Sequence, residues 1–210
     1  RTEDQRFLTG KGNYIDDINL EGQARASVLR SPHAHARINA INTFEALALI
    51  GVLLVITGRE WVANGMGPMP TKTAIRKGRN DSDIKEPPRH CMAVDVARYV
   101  GEPVAFVVAE SQEIANNAIE LIEVDYETLD AVTNPIKALA ADAPQLWEDI
   151  PNNLCLDFDL GDREGTMQAM RDADHVITLD LENNRVTAVP IEPRGCVGSY
   201  NPDNKSYTLY

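Results

Sequence analysis

The stretch PVAFVVAESQEIANNAIELIEVDYE, residues 103–127, decides the fold class of this chain. Pro103 to Ala109 is apolar, β-branched and aromatic, the composition of a buried strand. Ser111 then stands where a side-chain oxygen can cap a helix, and Ile114, Ala115, Ala118, Ile119 and Ile122 recur at the spacing of one helical face. Val124 to Glu127 returns to a strand. A β-α-β unit follows, and with it an α+β fold in which a mixed sheet carries packed helices.

Working outward, Ala24 to Arg30 and Arg37 to Ile41 read as short strands separated by Ser31-Pro32, where the proline favours extended backbone. Thr43 can cap a helix running to Leu49, Gly51 can end it, and Val52 to Thr57 reads as a buried strand. From Asn64 to Arg89 the chain is rich in Gly, Pro and charged residues without an apolar period, which predicts a long surface excursion. Between Pro135 and Pro151 alanine-rich sequence gives way to Pro144, Trp147 and Pro151-Asn152-Asn153, so the chain is expected to divide into domains 1–143 and 144–210. In the second, Asp162 can cap a helix running to Ala173. Val176 to Leu181, Arg185 to Val189, Val197 to Tyr200 and Ser206 to Tyr210 read as strands, the last two joined by a turn at Asn201-Pro-Asp-Asn204. The strand ending at Tyr210 has nothing after it to cover its edge, so a truncated second domain is expected.

Composition narrows the function. The 210 residues carry a net charge of −12, with a pI near 4.7, which excludes a nucleic-acid surface built on clustered Lys and Arg. The longest apolar run, Ala46 to Ile56, falls far short of the roughly 20 residues of a membrane span. Cys91, Cys155 and Cys196 are scattered with no Cys-x-x-Cys pair, so no disulfide framework, zinc site or iron-sulfur site is indicated, and a reducing, cytoplasmic compartment is expected.

Several constellations could carry chemistry. His33 and His35, two apart, would share one side of a strand, but no third or fourth ligand stands at a recognisable spacing, so both are assigned structural roles. Asp16-Asp17 and the set Glu120, Glu123, Asp125 and Glu127 read as solvated faces, with Glu120 and Glu123 placed on the helix away from its apolar stripe. Gly101-Glu102-Pro103 reads as a tight turn, and Gly10-Lys-Gly12 is too short for a phosphate loop.

Four stretches together carry a family resemblance. They are RTEDQRFLTGKGNYIDD with LRSPHAHARI in residues 1–38, VARYVGEPVAFVVAE at 96–110, IEVDYE at 122–127 and NRVTAVPIEPRG at 184–195. In that order they resemble the large subunit of the molybdenum hydroxylases, the family of xanthine dehydrogenase, aldehyde oxidase and aerobic carbon monoxide dehydrogenase. The resemblance implies an α/β hammerhead domain, then the incomplete start of an α+β molybdopterin-binding domain. It implies an intact oxidoreductase that uses water as oxygen donor at a molybdenum-pterin centre, with iron-sulfur clusters in a small partner subunit and FAD in a medium one.

Within that resemblance, Ile191-Glu-Pro-Arg194 lies shortly before the stretch that meets the cofactor, and a salt-bridged or capped Glu192 and Arg194 pair supporting a loop is expected there. The family's cofactor-contacting glutamine, its substrate-side loop and its glutamate base would all lie beyond Tyr210, and none of the three cysteines stands at the copper-binding position of carbon monoxide dehydrogenase. No residue of this sequence is therefore assigned a catalytic, cofactor-binding or metal-binding role. The expected role is structural: packing on the rest of the large subunit and offering surface to a small subunit, inactive alone. The alternative is a naturally separate, non-catalytic scaffold subunit of such a complex.

Overall fold

A computed structural model describes residues 4–70, 75, 77–184, 186–190 and 192–210. Its elements run α1 (Asp4–Leu8), β1 (Arg25–Arg30), β2 (Ala36–Asn42), α2 (Phe44–Ala48), β3 (Val52–Thr57) and α3 (Gly58–Ala63). They continue as β4 (Val96–Ala97), β5 (Pro103–Ala109), α4 (Gln112–Glu120), β6 (Glu123–Thr128), α5 (Arg163–Asp172), β7 (Gly198–Asn201) and β8 (Ser206–Leu209). By packing, residues 24–169 make one unit, and Gln23 with the described residues before it joins 170–210 in another.

In the larger unit β5 is the central strand of a three-stranded antiparallel sheet, order β1-β5-β3. A second sheet has the order β4-β2-β6, also antiparallel. The local strand-helix-strand readings hold, but their strands part company: β2-α2-β3 runs from the second sheet to the first, and β5-α4-β6 runs back. Neither is a parallel crossover within one sheet, because each strand finds a distant antiparallel partner. Two apolar clusters fill the unit. Val55, Ala105 and Val107 meet Ala46 of α2 and Ala118 of α4, while Ile38, Ala93, Ala97 and Val104 form the second cluster; Ile41 and Val124 pack against both.

Local chemistry explains the element ends. Ser111 Oγ accepts the Ile114 N–H at 3.2 Å and starts α4, and Asp162 Oδ1 accepts the Gly165 N–H at 2.8 Å before α5. Thr43 makes no side-chain cap; Asn42 Oδ1 accepts the Phe44 N–H at 3.1 Å instead. Helix α4 stops at Glu120, so Glu123 belongs to β6 and not to the helix as expected. The β2–β6 register shifts between Ile38 and Ala40, and Arg59 of α3 covers the irregularity by donating to the Ile38 carbonyl at 2.7 Å and the Asn39 carbonyl at 3.3 Å. That seat requires Gly58, since a Cβ there would collide with the Ala93 carbonyl.

In the other unit β7 and β8 form the expected hairpin, extended by mutual hydrogen bonds between Val197 and Tyr210. Val176 to Leu181 forms no strand, nor do residues 186–189; Arg185 lies outside the described residues. Alternation alone does not make a strand where no partner strand takes up its backbone groups.

Candidate functional site

The segment singled out for proximity to a cofactor begins at Ile191, which lies outside the described residues, and continues through Glu192, Pro193, Arg194 and Gly195. Glu192 is half-buried, and its Oε1 accepts the Ile15 N–H at 2.9 Å. Tyr14, one position earlier, donates its N–H to Asp17 Oδ2 at 2.9 Å, so two successive backbone donors are met by two carboxylates. Gly195 closes on the same residue: a Cβ there would stand 3.1 Å from Ile15 Cγ2. Of the two expected forms, the Glu192–Arg194 salt bridge is not made among the described residues, and Arg194 is exposed. Glu192 supports a loop, but through the backbone of the opening stretch. That contact spans 177 positions, and no local pattern could mark it.

In the larger unit Arg98 is a second junction that sequence reading missed. Its Nε donates to the Leu146 carbonyl at 2.8 Å, its Nη1 to the Val96 carbonyl at 3.1 Å, and its guanidinium carbon stands 3.5 Å from the Trp147 ring centroid. The Arg98 N–H donates to Glu102. Partial burial pushes the Glu102 carboxyl above the ordinary carboxylate range and Arg98 below its usual value, and the attraction between the two only partly offsets this. Asn153 completes the junction, accepting the Leu146 N–H at 2.9 Å and donating to the carbonyls of Ala138 and Pro144 at 3.0 Å each. The stretch from Ala138 to Asn153 is thereby fastened to β4 and the turn after it.

The remaining candidates separate. His33 and His35 precede β2 and do not share a strand face: His33 meets the Tyr126 ring edge-on at 4.8 Å, while His35 Nδ1 contacts the Asp130 carbonyl at 2.7 Å. Glu123 accepts from the Asn42 amide at 3.1 Å and Glu127 pairs with Arg37 at 3.3 Å, both exposed. Gly101 takes a positive φ of 88° in the turn before β5. Cys91, Cys155 and Cys196 are free, the last two exposed. No helix among the described residues is long and apolar enough to cross a membrane.

The family described as aldehyde oxidase and xanthine dehydrogenase, a/b hammerhead domain, matches residues 9–130, more than half of the sequence. The chain belongs to this family. A second family, the molybdopterin cofactor-binding domain, matches residues 146–210 of the same hammerhead-family chain. The chain is 36% identical to the carbon monoxide dehydrogenase large chain of Afipia carboxidovorans, over 100% of its own length and 26% of that protein. It is 37% identical to the nicotine 6-hydroxylase large subunit of Paenarthrobacter nicotinovorans, over 95% of its length and 23% of that protein. Among solved structures, quinoline 2-oxidoreductase from Pseudomonas putida 86 superposes with a TM-score of 0.80 at 34% identity, covering 100% of this chain and 25% of that one. The hammerhead-family chain thus spans about a quarter of the length of the relatives it matches.

A molybdopterin is anionic through its phosphate, so positive side chains and unpaired N–H groups are what would meet it. Residues 192–210 supply one arginine, Arg194, and one lysine, Lys205, while the Glu192 carboxylate is committed to Ile15 and the facing backbone groups of β7 and β8 to each other. What the corner can do is orient the chain around Pro193.

Proposed function

We propose that this chain is the N-terminal part of the large subunit of a molybdenum-dependent hydroxylase and that its role there is structural, with no catalytic, cofactor-binding or metal-binding residue of its own. Residues 1–143 form the hammerhead domain and residues 144–210 the linker and first part of the molybdopterin-binding domain. The supporting observation is the order of the two family matches, 9–130 and then 146–210, within about a quarter of a relative's length. The intact enzyme is a cytoplasmic oxidoreductase that takes oxygen from water at its molybdenum centre, with iron-sulfur clusters and FAD in partner subunits. Within that role the Glu192 corner supports the loop at Ile15, and the Arg98 junction fastens residues 138–153.

The test is molybdenum and pterin analysis of this chain purified alone, beside the complete large subunit produced with its neighbours. Cofactor in the complete subunit only is the expected result. Stoichiometric molybdenum and pterin in the chain alone would overturn the reading, because the site would then be built from residues given no such role.

A further inference from the structure

Helix α3 ends in the one Asn-Gly pair of the sequence, Asn64-Gly65. Asn64 closes the helix, and Gly65 follows with a φ of 83°, the left-handed backbone that glycine adopts without strain. The Gly65 N–H donates to the Val62 carbonyl at 2.9 Å and the Met66 N–H to the Trp61 carbonyl at 3.2 Å, the paired bonds of a glycine-terminated helix. Asn64 doubles the closure: its backbone N–H and its Nδ2 both donate to the Glu60 carbonyl, at 2.9 and 2.8 Å. The glycine that permits this turn also makes it chemically labile. An asparagine amide carbon is open to attack by the backbone nitrogen of the next residue, and a side chain on that residue obstructs the ring that forms. Every asparagine here except Asn64 is followed by a residue that carries one.

We propose that Asn64-Gly65 is a self-modifying site gated by the last turn of α3. The Gly65 nitrogen, losing its proton, bonds to Asn64 Cγ; the Cγ–Nδ2 bond breaks and Nδ2 leaves as ammonia. One water then opens the cyclic imide at either carbonyl, leaving aspartate or an isoaspartyl link at position 64. Water enters, ammonia departs, and nothing is oxidised or reduced. The folded turn holds this back twice. The ring needs the Gly65 nitrogen eclipsed with Asn64 Cβ, whereas a ψ of 10° at Asn64 sets it against that residue's own nitrogen. The Gly65 N–H and Asn64 Nδ2 are also both engaged in hydrogen bonds. Opening is confined to one end of the helix. Thr57 Oγ1 accepts the Glu60 N–H at 3.3 Å and Glu60 Oε2 the Thr57 N–H at 2.8 Å, which locks the start, while residues 62–65 are exposed. The product cannot re-form the closure: a carboxylate has no donor for the Glu60 carbonyl, and its charge stands at the negative end of the helix. Each conversion therefore weakens the turn that restrained it, and the change runs one way.

Timed incubation of the complete large subunit at physiological temperature and mildly alkaline pH tests this, with peptide mass spectrometry for loss of the Asn64 amide and an isoaspartyl methyltransferase assay for the rearranged link. Isoaspartate at position 64 is expected, forming at least about tenfold more slowly in the folded subunit than in the urea-unfolded one. Ala63→Gly, an exposed change in the last turn that touches neither apolar cluster, should speed conversion of the folded subunit about two- to fivefold and leave the unfolded rate unchanged. Hydrogen exchange supplies a second reading: protection of the Gly65 amide should fall by a similar factor in Ala63→Gly and fall also in Asn64→Asp. No conversion at position 64 in the folded subunit, equal folded and unfolded rates, or aspartate without isoaspartate would overturn the proposal. So would a folded rate indifferent to Ala63→Gly, or Gly65 protection unchanged in Asn64→Asp.

Discussion

Residues 103–109 and 176–189 both carry the Val-rich, strand-like composition that reads as sheet, yet the first is the best-buried strand among the described residues and the second forms no strand at all among its described residues. Strand β5 is hydrogen-bonded on both edges and roofed by α4; Leu181 in the second stretch is 87% exposed. Apolar alternation is a capacity for pairing, and pairing happens only where a partner backbone and a second layer are at hand.

The largest test of that contrast sets Ile38→Ala against Leu181→Ala. The first removes a fully buried side chain and should cost about 2–5 kcal/mol, while the second should stay within about 0.5 kcal/mol, both read from urea midpoints of this chain. In the complete large subunit the Leu181 cost should rise toward the Ile38 range if residues 176–189 gain a partner there; an unchanged small cost would show that they stay unpaired. Next, Arg98→Ala takes away two carbonyl contacts and the stacking on Trp147, an expected loss of about 1–3 kcal/mol accompanied by faster proteolysis between Ala138 and Asn153. Equal proteolysis in both proteins would show that Asn153 alone holds that stretch. Smaller again, Ser111→Ala should cost about 1 kcal/mol through loss of the α4 cap, measured by thermal unfolding.

The last test turns on pH. Glu102 holds its proton more tightly folded than unfolded, so the folded state binds more protons just above the ordinary carboxylate value and stability falls as pH rises through that window to the raised folded value. Glu102→Gln should flatten that part of the stability profile. A profile identical to that of the unsubstituted chain would mean that the attraction to Arg98 fully offsets the burial.

What the sequence made legible follows the range of the interaction involved. Ser111 and Asp162 act within three residues and were readable as caps; at Thr43 a neighbouring Asn42 won the same competition, which propensity cannot rank. Strand positions in the larger unit were readable from composition, but their assignment to two sheets was not, because β1 pairs with β5 and β2 with β6 across long separations. The Glu192 contact with Ile15 and the Arg98 contact with Leu146, 177 and 48 positions apart, carry no local signature for the same reason. Family likeness supplied the chemistry expected of the whole subunit, and geometry supplied the particular partners.

The strand orders have a consequence for synthesis. In the second sheet the central strand, β2, leaves the ribosome before either edge, so β4 and β6 can add to it as they emerge. In the first sheet both edges, β1 and β3, are made before the strand that joins them, and they wait until Ala109 has emerged. A nascent chain stalled near residue 100 therefore holds two apolar strands without their centre, and that interval is when this polypeptide is most exposed to misassociation.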